Sequence, residues 1–268
     1  MKQIRHKNTL TATELEELLA TKAFTPVINE LTPEENKAPE VTAFESINLF
    51  RYSIEDYREE YNTKKLPTAY EYAEAYQRHT KRIILSKNFK RMTGWKYRYT
   101  KALHKAIWNR ATRAYISYMI EYHAKLVLQG IAGVEVVSSK RLDLKGIDLL
   151  VRDYRLGVQV PVHIYKCSSS GLVYRYKKEG KLLQFKREKG RIYARASWTK
   201  FDNKIYSKRN TTAHLNLFYQ DVEQDNGLVN NINGYPLLKS GYIRTRYKEF
   251  ISVKWAYLNN LFDRYVTK

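Results

Sequence analysis

The chain has 268 residues, 43% of them hydrophobic, which is enough to bury a large core as one elaborated domain or two small ones and too many for a disordered chain. Forty-eight Lys and Arg against 27 acidic residues give a net charge of +21, and no apolar run is long enough to span a bilayer. One cysteine, Cys167, excludes an internal disulfide and a multi-cysteine zinc site; the first seven residues lack the apolar stretch of a secretory signal, so a cytoplasmic location is the expectation.

The charge is uneven. Residues 1–60 carry 7 basic and 12 acidic residues, a net of −5, so the remainder carries 21 + 5 = +26. That asymmetry suits a densely anionic partner, and nucleic acid is the commonest, because each phosphate neutralised by Lys or Arg releases counterions. An acidic N-terminal helical arm (1–60) and a basic domain (61–268) are the expected divisions. The chain also holds 23 Tyr, nine Phe and four Trp. A tyrosine offers a stacking face and a hydroxyl within reach of a phosphate, although most are expected to be structural.

Residues 9–23 read as a short helix, with Thr11 or Thr13 as cap and Leu15, Leu18 and Leu19 as its stripe. Residues 24–50 read as a connector with one helical turn at Pro33, preceded by Thr32. Ser53 to Tyr61 is a second helix capped by Ser53, and Thr68 to His79 a third. The segment 81–99 interleaves Lys81, Arg82, Lys87, Lys90, Arg91, Lys96 and Arg98 with Phe89, Trp95, Tyr97 and Tyr99, a mixture suited to phosphate clamping and equally to a solvated helix face before a turn. Residues 101–129 form the strongest helix, with Leu103, Ile107, Ala111, Ala114, Tyr118 and Tyr122 at three- and four-residue intervals and Gly130 at its end. Its one acid, Glu121, has Lys125 a turn later.

After Gly133 the pattern changes to β-branched alternation. Val134 to Val137, Ile147 to Val151 and Val158 to Ile164 read as strands, followed by Leu172 to Lys177, Leu182 to Arg187, Arg191 to Trp198 and His214 to Tyr219. Alternation such as Tyr174-Arg175-Tyr176-Lys177 suggests an antiparallel sheet with one basic face. Residues 230–236 read as a loop, and 242–263 give a mixed strand and helix signal.

The pair of strands at 147–164 carries the chemistry. Asp148 enters the first strand and Gln159 starts the second. A long helix followed by such a pair resembles the PD-(D/E)xK nuclease superfamily over Glu121 to about Lys166. The resemblance implies an α/β (α+β) fold, a restriction-endonuclease-like mixed sheet flanked by helices, with a helical N-terminal part and a β-rich C-terminal half. It implies a Mg²⁺-dependent endonuclease of restriction or homing type acting on double-stranded DNA, often as a homodimer. Asp148, Gln159 and Glu121 would be the metal ligands, since Mg²⁺ takes hard oxygen donors.

The family's lysine, two positions after the second ligand, is replaced here by Pro161. In a regular strand Gln159, Pro161, His163 and Tyr165 share one face, and Lys166 lies on the other. Proline implies an edge strand or a bulge, and a bulge would bring Lys166 to the Gln159 side. Lys166 through a bulge, His163 on the unbroken face, and Lys145 before the Asp are the candidates near the attacking water. Asp153 falls in the turn, where it is read as exposed. The candidate DNA-binding residues are Lys87, Lys90, Arg91, Trp95, Lys96, Arg98, Arg175, Lys177, Arg195, Lys208 and Arg209. The alternative is a non-catalytic DNA- or RNA-binding protein, a replication or packaging factor with a degenerate nuclease-like core, which needs no replacement for the lysine.

Overall fold

A computed structural model describes residues 10–47, 50–63, 65–139, 142, 147–166, 186–188, 191–193, 215–219 and 228–252. The chain divides into two compact units, Met1–Tyr122 with Ile232–Tyr235, and His123–Asn231 with Pro236–Lys268. The boundary therefore falls inside the longest helix, not at residue 60, and the acidic arm is part of the first unit.

The first unit is helical. α1 (Ala12–Ala20), α2 (Pro33–Lys37), α4 (Ile54–Glu60) and α5 (Ala69–Leu85) each start at a capping box, with Thr11, Thr32, Ser53 and Thr68 accepting from the third helical amide and Glu14, Glu35, Asp56 and Glu71 reaching back. α3 (Pro39–Ser46) is a helix that the connector reading missed; Pro39 opens it at a position where the missing N–H costs nothing. α6 (Lys87–Thr93) follows α5 after Ser86 and stops at Gly94. α7 (Lys101–Gln129) has the bounds expected. Its buried stripe runs through Leu103, Ile107, Ala111, Tyr115 and Met119, whereas Ala114 and Tyr118 are half-buried. Leu18 of α1 is likewise partly in solvent, while Leu15 and Leu19 are buried.

Polar contacts fasten the arm to α7. Asn109 accepts from the Asn29 amide at 2.8 Å and donates to its carbonyl at 2.7 Å, and Thr112 donates to Val27 O at 2.5 Å. Lys105 pairs with Glu35 at 2.7 Å, Thr100 donates to Glu40 at 2.7 Å, and Arg113 pairs with Glu45 at 3.0 Å. Arg110 lies over the rings of Phe44 and Phe50 and donates to Phe44 O. Tyrosine fills much of this core: Tyr52, Tyr72, Tyr76 and Tyr115 are fully buried.

The second unit holds a four-stranded mixed sheet of β1 (Val134–Val137), β2 (Leu149–Asp153), β3 (Val158–Lys166) and β6 (Leu215–Tyr219), in that spatial order. β1-β2 and β2-β3 are antiparallel and β6 runs parallel to β3, so the sheet is mixed, as expected; the alternation at 174–177 lies outside the described residues. Val136, Leu149, Val151, Val160, Val162, Leu215 and Leu217 line its buried face. β4 (Lys186–Glu188) and β5 (Arg191–Tyr193) form a separate antiparallel pair. The other strand assignments between 172 and 198 lie outside the described residues.

Residues 230–236 are not a loop. β7 (Val229–Ile232) and β8 (Tyr235–Leu238) form a hairpin whose turn, Asn233-Gly234, has φ of 49° and 90°. Two positive φ values are the demand of a type I′ turn, and Asn-Gly is its preferred sequence. The turn belongs to the first unit, where the Asn233 side chain donates to Leu19 O and Ala20 O. Residues 240–252 form a last helix, α8.

Asp153 corrects the sequence reading. It ends β2 and is 1% exposed. Its carboxylate accepts from Arg155 N, Arg155 Nε, Arg155 Nη2 and the Tyr247 hydroxyl at 3.0, 3.0, 2.5 and 2.8 Å. Burial works against the charged form, but the bonds from Arg155 and Tyr247 outweigh it and hold the carboxyl below the usual aspartate range. Gly133, at φ +74°, leaves room for the same arginine, since a Cβ there would stand 2.6 Å from Arg155 Cγ.

Asp153→Asn is expected to cost about 1–3 kcal/mol at neutral pH, as a buried network losing its charge. A depressed folded pKa stabilises above the ordinary value near 4 and loses that contribution as pH falls through the folded value. Urea unfolding at pH 7 and pH 3 should therefore show a smaller pH effect in Asp153→Asn than in the wild type. Gly133→Ala should lower stability by roughly 1–3 kcal/mol, because the left-handed φ and the Arg155 clash act together.

Candidate functional site

Hydrogen-bond accounting explains the strand pair. β2 faces β3 in the register Leu149↔Val162, Leu150↔Pro161, Val151↔Val160, Arg152↔Gln159 and Asp153↔Val158, with no residue skipped. The bulge at Pro161 is absent. Asp148 N donates to Val162 O at 3.1 Å, so the polar groups of Val162 face β2, and alternation turns the Pro161 nitrogen to the other side. β6 pairs with β3 only from Val162 onward. β3 is thus an edge strand over 158–161 and an interior strand beyond, which accommodates the proline without a bulge. The device expected to bring Lys166 to the Gln159 side is therefore not present; the Lys166 backbone pairs with Tyr219 in an unbroken ladder.

β2 begins at Leu149, so the Ile164 amide, facing the same way, has no strand residue to meet. The half-buried Asp148 carboxylate takes it, Ile164 N donating to Oδ2 at 2.6 Å. Asp148 acts there as a substitute for the missing strand. Extending the register one step sets Asp148 beside His163, not Gln159. Gln159 is exposed and lies opposite Arg152, four residue steps or about 13 Å further along the hairpin. Asp148 and Gln159 cannot ligate one ion. His163 is 3% exposed and is in register with Asn216, which is fully buried. His163 and Asn216 thus pair across β3 and β6, and Asp148 lies just before the start of β2. Nothing in the pattern of 214–219 marked Asn216 except its place between Leu215 and Leu217.

The third expected ligand, Glu121, accepts from Arg51 Nη2 at 2.5 Å, with both side chains largely buried. Arg51 also lies over the Tyr118 ring. Lys125, a turn later, donates to Ser138 at 3.4 Å. A guanidinium on the carboxylate competes with any cation for the same oxygens. Among the described residues no group of three or more His, Cys, Asp or Glu converges as a metal site. One carboxylate, one imidazole and one amide are also a poor set for Mg²⁺, which favours carboxylates and water. Of the residues assigned to magnesium, the register sets Gln159 apart from Asp148, and Glu121 is engaged by Arg51.

The basic segment is better ordered than its composition revealed. On α6, Lys87, Lys90 and Arg91 occupy one face at i, i+3 and i+4, and all are exposed. Past Gly94 the chain is extended and alternates: Lys96 and Arg98 point to solvent, while Trp95 is 5% exposed and Tyr97 and Tyr99 are half-buried. Trp95 packs against Phe89 and Tyr97 and donates Nε1 to Tyr97 O at 3.1 Å. It is a core residue, and its expected DNA contact is corrected to an anchoring role.

Residues 75–120 contain 12 Lys and Arg and no acid. Those on α7 meet the acidic arm, as Lys105 and Arg113 do. Among the described residues, Lys87, Lys90, Arg91, Lys96 and Arg98 have no carboxylate within ion-pair distance; Arg91 reaches only Asn88 Oδ1, at 3.5 Å. Lys145, Arg175, Lys177, Arg195, Lys208 and Arg209 lie outside the described residues.

No family model matches this chain, and no curated protein or solved structure is detectably similar to it. No described helix is long and apolar enough to cross a membrane.

Asp148→Ala should cost about 1–2 kcal/mol by orphaning the Ile164 amide, while Asp148→Asn, whose carbonyl still accepts, should cost less. Gln159→Ala should stay within about 0.5 kcal/mol of the wild type. Urea midpoints of the three variants check the ordering.

Proposed function

We propose that this chain is a nucleic-acid-binding protein whose phosphate contacts come from α6 and the extended segment after it. One observation carries the reading. The fold brings carboxylates to cations of α7 and, among the described residues, leaves Lys87, Lys90, Arg91, Lys96 and Arg98 exposed with none within ion-pair distance. Five exposed cations on a short stretch of backbone suit a phosphate backbone, whose condensed counterions they would release. The aromatic side chains between them hold that stretch in place.

A second reading, a Mg²⁺-dependent endonuclease acting on double-stranded DNA as a homodimer, is favoured by the long helix followed by a mixed sheet with an acid at the head of β2. It would rest on Asp148 and His163 and not on Gln159.

The triple variant Lys87→Glu/Lys90→Glu/Arg91→Glu is expected to bind nucleic acid at least tenfold more weakly, with a shallower dependence of log affinity on log salt by roughly two to three units. Mobility shifts at several salt concentrations measure both. Unchanged affinity in the variant removes the reading. Incubation of supercoiled plasmid with Mg²⁺ or EDTA separates the two functions. Cleavage that requires Mg²⁺ and vanishes in Asp148→Asn, a variant that keeps the bond to Ile164, would establish the endonuclease; intact plasmid with salt-sensitive binding supports the first reading.

A further inference from the structure

Within the first unit, α5 and α7 carry a second cluster that phosphate binding does not use. Tyr70, Gln77 and Lys81 lie at helical spacing on α5, and His104 and Trp108 are one turn apart on α7. Tyr70 meets Trp108 edge-on at 5.3 Å, and His104 lies 6.1 Å from the same indole. Tyr99 stands edge-on to His104 at 6.3 Å. Gln77 Nε2 donates to the Tyr99 hydroxyl at 2.8 Å and lies 3.3 Å from His104 Nδ1. The Lys81 ammonium is 5.1 Å above the Tyr99 ring.

Two features set this cluster apart from ordinary packing. The Tyr70 ring is 55% exposed, although an aromatic neighbour lies beside it. Trp108 is 8% exposed, and its Nε1 meets no acceptor among the described residues. A desolvated N–H without an acceptor costs free energy that a ligand oxygen or ring nitrogen would return. Burial and the charge of Lys81 both favour the neutral form of His104, whose flat ring neighbours Tyr99 and Trp108.

We propose that Tyr70, Tyr99 and His104 receive unpaired nucleobases, with Trp108 beside Tyr70 and Lys81 on the adjoining phosphate, so that the chain prefers single-stranded nucleic acid to duplex. The inference rests on the phosphate-binding role of α6. Bases inside a duplex have both faces covered by their neighbours, so an aromatic platform engages them only once they are unstacked. Tyr70 is exposed and Tyr99 and His104 are half-buried beside the Lys81 cation, a combination that single strands reward because charge holds the backbone while the rings take the bases.

The test is fluorescence anisotropy with three labelled probes: a single strand of about 20 nucleotides, its duplex, and a single strand of the same length built of abasic sites. The wild type should bind the base-containing strand most tightly. Tyr70→Ala, at an exposed position, should weaken that complex about five- to tenfold and leave the abasic one unchanged, and Tyr70→Phe should restore it. Equal wild-type affinity for the base-containing and abasic strands overturns the proposal, as does a Tyr70→Ala loss that is the same on all three probes. The α6 triple variant separates the two ideas. It should weaken all three complexes, and if it weakens none, the phosphate-binding reading itself fails whatever Tyr70 does.

Discussion

A helix rich in cations and empty of acids cannot be buried unless another segment supplies the opposite charge. α7 is such a helix over its first five turns, and this demand shapes the first unit. The acids of residues 35–45 meet it: Glu35 takes Lys105 and Glu45 takes Arg113, while the arm's aromatic side chains cover Arg110. Such pairs add little to stability where they face water. Their larger effect is on specificity, because the arm's charges fit one helix face and would be repelled by a carboxylate-bearing one. The acids of the arm and the cations of α7 therefore act together within the first unit, although 68 and 70 residues separate the paired groups along the chain.

The second unit is governed by backbone hydrogen bonds more than by charge. β3 outruns β2 at one end and β6 at the other. Each overhang leaves polar backbone groups to satisfy. Past β2 the Asp148 carboxylate supplies an acceptor to the Ile164 amide, and past β6 the proline needs no donor partner. The proline that breaks the nuclease-like pattern and the acid that suggested it thus each have a structural account. Asp153 makes the same point in reverse. A residue that alternation and turn composition assign to solvent is buried because Arg155 and Tyr247 satisfy its oxygens.

Local signals in the sequence were legible where the governing interaction is itself local. The capping boxes at Thr32 and Ser53, the full extent of α7, and the strands β1 and β3 follow from spacing of a few residues. Asn233-Gly234 was equally local and should have been read as a hairpin turn. What the sequence did not expose was register. Gln159 and Asp148 are 11 residues apart, a distance compatible with several hairpin pairings, and only the tight turn at 154–157 decides that Gln159 meets Arg152. The parallel pairing of β6 and the burial of Asn216 depend on contacts more than 50 residues distant along the chain, where no periodicity carries information. Trp95 was misread for a related reason. Alternation of cation and aromatic looks the same whether the aromatic side faces a ligand or a core, and Phe89 decides which.

The exposed cations of α6 also bear on what the fold can tolerate. Like charges at i, i+3 and i+4 destabilise an isolated helix by a few tenths of a kcal/mol per pair, and seven residues are too few to be helical unaided. α6 persists because Phe89 is buried against Phe50 and Trp95, and because Ser86 caps its first turn. Burial of one such aromatic contributes about 2–3 kcal/mol, several times the repulsion among the three cations. The charges are thus no part of what keeps the helix folded, and they tax it slightly. Structure and charge are separable on this element, so a loss of binding on removing the charges reports on the surface and not on the fold.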